Sequence, residues 1–221
     1  MAIDIKNTDT TNLLNILQRE EEMIIKPFHP DTTEKNGAVE CGKIVSRTNK
    51  ILFNYQIGDK KHTSILSSIL NHKIILFHPK TNQKIIELYC NRVPFLSKIS
   101  SKQNVRCITS LSNSFQSIGY LQQKFALNKL RYNVYNTDYK HAVSLILRKN
   151  YLIKKIQHRV SEFEIINKNE ISSIGRIYPF STDLERSQYG QAVAIKLPQD
   201  MNVELKATLL ISALILKSRI N

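Results

Sequence analysis

The sequence predicts a mainly β protein: a closed antiparallel barrel wound round a buried C-terminal hydrophobic helix, with a short helix near the N-terminus. Three observations predict it. From about residue 43 onward, short apolar runs alternate with turns rich in Asn, Lys, Thr and Ser, and helical spacing is missing. Near the end, Ala207–Leu216 is apolar except for Thr208 and Ser212. That run is about half the roughly 20 residues a bilayer-spanning helix needs, so it is read as buried in protein. The chain has 221 residues, 42% of them hydrophobic, enough for one large core.

The elements follow in order. Thr10 or Thr11 can cap a helix over "NLLNILQREEEMI", with Leu13, Leu14 and Leu17 on one face. "PFHPDTTEKNG" reads as loop. "IVSRTNKILFNYQIG" reads as two strands about a turn at Thr48–Asn49–Lys50, and "HKIILFHPKTNQKIIELY" as a hairpin. "VRCITSLSNSFQSIGYLQQKF", "KLRYNVYNTDYKHAVSLIL" and "HRVSEFEIINKNEISSIGRIYPF" repeat that layout. A meander of this kind closes as a barrel or stacks as a sandwich. An all-round apolar helix in a β-rich chain fits the centre of a barrel. "SIGYLQQKF" from Ser117 and "SIGRIYPFS" from Ser173 form an internal echo, which points to related sheet units. Pro198 closes the last strand-like run, and Asp200 or Asn202 can cap the final helix. Residues 1–42 thus read as an N-terminal helix and loop, and residues 43–221 as the barrel with its central helix.

Thirty-two Lys and Arg against eighteen Asp and Glu give a net charge of +14. That charge attracts polyanions, either nucleic acid or an anionic lipid surface. Cys41, Cys90 and Cys107 are sparse and form no Cys-x-x-Cys, which disfavours a zinc site and fits reduced thiols in a cytoplasmic setting. The opening "MAIDIKNTDTTN" has no apolar signal core, and Ala2 excludes N-myristoylation.

No catalytic constellation emerges. His29, His62, His72, His78, His141 and His158 lack metal-binding spacing, and no Gly-rich phosphate loop or G-x-S-x-G elbow occurs. No cofactor or metal is expected. Glu162 and Glu164 share a strand face and read as a solvated hairpin wall. Two basic clusters remain. Lys124, Lys129 and Arg131 flank one turn, and Arg148, Lys149, Lys154, Lys155 and Arg159 surround Tyr151.

Several stretches resemble the phospholipid scramblases, which share the tubby C-terminal fold. "IGYLQQKFALNKLRYNVYN" resembles their Ile-Gly-Tyr strand and the strand after it. "EFEIINKNEISSIGRI" resembles their Phe-Glu-Ile segment and the Gly-Lys-Ile that follows its turn. In "LPQDMNVELKATLL", Pro198, Asp200, Val203, Lys206 and Ala207 stand at positions matching the family's closing motif. The resemblance spans roughly residues 13 to 216 and implies a barrel of about twelve strands round the C-terminal helix. It also implies binding of anionic phospholipid or phosphoinositide at a membrane surface, with Lys124, Lys129 and Arg131 as the lipid-binding residues.

Departures from the family are specific. The Lys-x-Arg pair of tubby domains falls on Tyr120 and Gln122. The Pro-rich arm is missing, and "GDKKHTSILSSIL" stands where scramblases carry a cysteine cluster. The loop expected to hold calcium reads "ERSQYGQAVAIKLP", with no Asp between Arg186 and Pro198, so calcium-dependent lipid translocation is not expected. The expectation is a scramblase-like, peripheral, cytoplasmic phospholipid-binding protein. The alternatives are a nucleic-acid-binding barrel, and a structural or adaptor protein whose charge is incidental.

Overall fold

A computed structural model describes residues 14–28, 40–58, 74–89, 103–108, 114–126, 129–149, 161–169, 172–180, 192–217 and 220. Its strands are β1 (Glu22–Pro27), β2 (Glu40–Ser46), β3 (Ile51–Ile57), β4 (Ile74–Phe77), β5 (Lys84–Tyr89) and β6 (Gln103–Ile108). There follow β7 (Phe115–Ala126), β8 (Lys129–Tyr135), β9 (His141–Lys149), β10 (Ser161–Asn167), β11 (Ser173–Pro179) and β12 (Val193–Lys196). Each pairs with its chain neighbours, and β12 returns to β1, so the twelve strands close into the expected antiparallel barrel.

The hairpins share one construction. In β2–β3, β4–β5, β6–β7, β8–β9 and β10–β11, the second strand carries one extra residue: Leu52, Ile85, Ile118, Ala142 and Ile174 in turn. Such bulges bend a strand and raise its twist, which barrel closure demands. All five extra residues are apolar and lie in the core or packed against it. The Ser-Ile-Gly echo is the same bulge used twice: Ile118 and Ile174 are the extra residues, each followed by a glycine.

Every strand contributes to one core, from Met23 and Ile25 on β1 to Val193 and Ile195 on β12. Inside it runs α1 (Val203–Leu216), buried at every residue from Lys206 to Leu214. Asn202 caps it, its Oδ1 accepting from the amides of Glu204 (2.8 Å) and Leu205 (3.2 Å). The two polar residues inside the apolar run bond within the helix. Thr208 Oγ1 donates to Glu204 O at 2.9 Å, and Ser212 Oγ to Thr208 O at 2.8 Å.

Both helix ends are tied down. At the N-terminal end the fully buried Lys206 sends its ammonium to the carbonyls of Leu17, Gln18, Glu20 and Gln199, at 3.0–3.3 Å. Burial lowers its pKa, against the pull of Glu20, Glu21 and Asp200. At the other end Lys217 pairs with Glu40 at 2.7 Å, and the same carboxylate accepts from the hydroxyl of Tyr55 at 2.6 Å. Burial, and then the Glu40 charge, push the Tyr55 phenol up.

The N-terminal region differs from expectation. Among the described residues of "NLLNILQREEEMI", Leu14 is helical and Asn15–Leu17 form a 3-10 turn, and strand β1 begins at Glu22. Met23 and Ile25 are needed inside the barrel, because β1 is the strand that joins β12 to β2. The barrel therefore draws on residues before 43, namely β1 and the first residues of β2. Residues 29–39, most of the predicted loop, lie outside the described residues.

Candidate anion-binding surface

The β7–β8 hairpin sorts its side chains by register. Leu121, Tyr132 and Val134 point into the core. The alternate positions face outward in opposed pairs: Tyr120 with Tyr135, Gln122 with Asn133, and Lys124 with Arg131. Two of the three expected lipid-binding residues are thus cross-strand neighbours. Lys124 is exposed and Arg131 half-buried. Lys129 opens β8 opposite Ala126, and its side chain lies outside the described residues.

Two of the partners of Arg131 are neutral side chains. Its Nε donates to Asn133 Oδ1 and its Nη2 to Ser144 Oγ, both at 2.9 Å. Ser144 Oγ donates to Asn133 Oδ1 at 3.2 Å and contacts His141 Nε2 at 3.1 Å. Asn133 Nδ2 donates to Tyr135 Oη at 3.4 Å, and Tyr135 Oη donates to Gln122 Oε1 at 2.8 Å. This chain of contacts sits on the outer wall, yet Ser144 is 0% exposed and Gln122 and Asn133 are buried. These amide and hydroxyl partners help fix the guanidinium plane. Less side-chain entropy is then lost when it meets an anion.

At the other end of the same wall, Tyr139 stacks on Tyr120 with ring centroids 4.1 Å apart. Tyr139 is 57% exposed and has φ 59°, in the left-handed region that a bulky residue rarely adopts. Tyr135 and His141 rings lie 5.7 Å apart beside it. The wall thus offers aromatic faces at one end, a cationic pair at the other, and a hydrogen-bonded polar strip between.

Of the second basic cluster, only the Arg148 side chain is described. Arg148 is 59% exposed and paired to Glu164 at 2.5 Å. Glu162 and Glu164 do share a strand face, with Glu164 committed to this ion pair. The Lys149 side chain and residues Tyr151, Lys154, Lys155 and Arg159 lie outside the described residues, as do Arg186 to Gln191 of the expected calcium loop.

Sequence reasoning missed Gln122, Asn133, Tyr135, His141 and Ser144 as supports for Arg131. Only the strand register brings them together, and a period of two marks each merely as outward.

Among the described residues no three His, Cys, Asp or Glu side chains converge as metal ligands, and no helix is long and apolar enough to cross a membrane. Cys41 and Cys107 are free thiols, and Cys90 lies outside the described residues. No family model matches the chain, and no curated protein matches it.

Proposed function

We propose that the protein binds anionic phospholipid at a membrane surface through the outer wall of β7–β8, as a scramblase-like binding module without calcium-dependent lipid translocation. The observation that carries this reading is the Lys124–Arg131 pair. Like charges directly opposite on a sheet destabilise it, by on the order of 1 kcal/mol at an aqueous surface. A lipid phosphate between them removes that penalty and gains two charge-assisted hydrogen bonds. Exposed Tyr139, at the other end of the same wall, suits the headgroup region, where amphipathic rings gather. Because α1 is enclosed, attachment is peripheral. The free thiols at Cys41 and Cys107 support a cytoplasmic-side location.

The test is flotation with phosphatidylserine or phosphoinositide liposomes. The Lys124→Gln, Lys129→Gln, Arg131→Gln triple variant is compared with one altered at Lys149, Lys154 and Lys155. Each basic residue near an anionic surface contributes about 1 kcal/mol, so the first variant should lose roughly a hundredfold in affinity. Equal losses in both variants reduce the site to diffuse charge. Absence of liposome binding alongside gel shifts of nucleic acid at matched salt favours the nucleic-acid alternative. Binding to neither leaves the adaptor reading.

A further inference from the structure

The cationic pair is one end of a longer row. Following the register away from Lys124, Arg131 stands opposite it, then Ile146, Glu164, Arg176, Lys196 and Glu22, each on the next strand round. Just past Glu22 lies Arg47, on the turn after β2, 85% exposed and 3.8 Å from the Glu22 carboxylate. One line of outward residues therefore crosses seven adjacent strands of the twelve.

The row is cationic at its ends and interrupted in its middle. Ile146 is apolar, and Glu164 is held by Arg148. The far end gathers Arg176, Lys196 and Arg47, all exposed. Arg176 Cζ lies over the Tyr178 ring, 4.7 Å from its centroid, and Tyr178 in turn hydrogen-bonds Glu22. Glu22 is the one carboxylate in this end of the row. It is mostly covered, while the three cations face water.

The two ends cannot touch one plane. β7–β8 and β12 are four to five steps apart in a closed ring of twelve, so their outward normals diverge by roughly 120–150°. The geometry points to Arg47, Arg176 and Lys196 as a second anion-binding face, one that engages a second anionic bilayer while Lys124 and Arg131 hold the first. The protein then bridges two membrane surfaces. This inference rests on the membrane-surface reading above. A single polyanionic strand fits the row less well, because it would have to cross apolar Ile146 and the Glu164 carboxylate.

The experiment uses the full chain and two populations of phosphatidylcholine–phosphatidylserine vesicles, each carrying one dye of an energy-transfer pair. Flotation reads binding to one membrane, and energy transfer reads clustering. The wild type should float and cluster. The Arg47→Gln, Arg176→Gln, Lys196→Gln variant should float with affinity within about threefold of wild type, while clustering falls about tenfold or more. Retained flotation also shows that the variant is folded. Wild-type binding without clustering overturns the bridge and leaves the Lys124–Arg131 site intact. Clustering unchanged in the variant overturns it as well. Loss of clustering that coincides with dissociation of a dimer in sedimentation reassigns the face to self-association. Wild type that fails to float removes both readings. A single-stranded oligonucleotide bound through both ends, without vesicle clustering, makes the row a nucleic-acid track instead.

Discussion

At the scale of single residues, burial decides chemistry more than residue type does. Cys107 faces the core of β6, where burial first, and the Glu204 charge second, push its thiol up from 9.0 to about 12. That removes it as a nucleophile near neutral pH, since the thiolate is the reactive form. It also makes stability depend on pH. The folded state keeps this proton between 9 and 12, while the unfolded chain gives it up. The stabilisation is therefore complete below 9 and is lost as pH rises through 12, by up to about 4 kcal/mol. Urea unfolding at about pH 8 and about pH 11 should show a larger loss for wild type than for Cys107→Ala. Tyr178, also pushed up to about 12, lowers both proteins alike, so the difference isolates the thiol. Equal losses would mean that water reaches Cys107. Tyr139 makes the opposite point. Its φ of 59° is unfavourable for an exposed tyrosine, and Asn49 and Asn82 fill the matching left-handed positions of other turns. A tyrosine there points to use of the ring rather than to folding.

At the scale of elements, the repeated bulge explains the glycines. A Cβ on Gly119 would stand 2.6 Å from Thr208 Oγ1 and 2.9 Å from the Tyr135 carbonyl; one on Gly175 would stand 2.4 Å from the Lys196 carbonyl. Gly119 lies against Thr208 of the central helix. Gly119→Ala should cost about 1–3 kcal/mol through overpacking. Thr208→Ala removes the Oγ1 and Cγ2 that the new methyl meets, so the double variant should recover part of that loss. Coupling of at least about 0.5 kcal/mol in a double-mutant cycle, measured by urea unfolding, checks the contact. Strict additivity would place the helix farther from β7. The Ser-Ile-Gly echo was legible as a repeat, but its meaning as a bulge was not, because a bulge is defined against the partner strand. The same limit hid β1. In "EMIIKP", Met23 and Ile25 enter the core, while Ile24 packs outside with Val45 and Ala194. With both faces covered, no alternation survives, and the preceding leucines carried the helical reading over a strand.

At the scale of the whole molecule, the fold class was legible because one length decided it: a ten-residue run, apolar but for Thr208 and Ser212, is too short to span a bilayer and has to be enclosed. The surface was far less legible. Lys124 and Arg131 are close in sequence and were found as a cluster. Arg47, Arg176 and Lys196 are spread over 150 residues, and only barrel closure gathers them. Closure also has a dynamic consequence. A helix laid on the outside of a sheet can detach by local opening, at a fraction of the global free energy. Here α1 is surrounded by core residues from all twelve strands and tied at both ends, by Lys206 to four carbonyls and by Lys217 to Glu40. It can be exposed only if the ring of strands breaks. Hydrogen exchange should therefore give the amides of Leu209 to Leu214 a protection equal to the global unfolding free energy, with the same urea dependence. The amides of Asn49 and Tyr139, in exposed turns, should exchange faster through local opening. Weakening the end ties with Lys217→Gln should lower helix protection and global stability together. Helix amides that exchange ahead of the β-strands, or with a shallower urea slope, would show that the helix leaves a closed barrel intact, and the enclosed arrangement would be wrong.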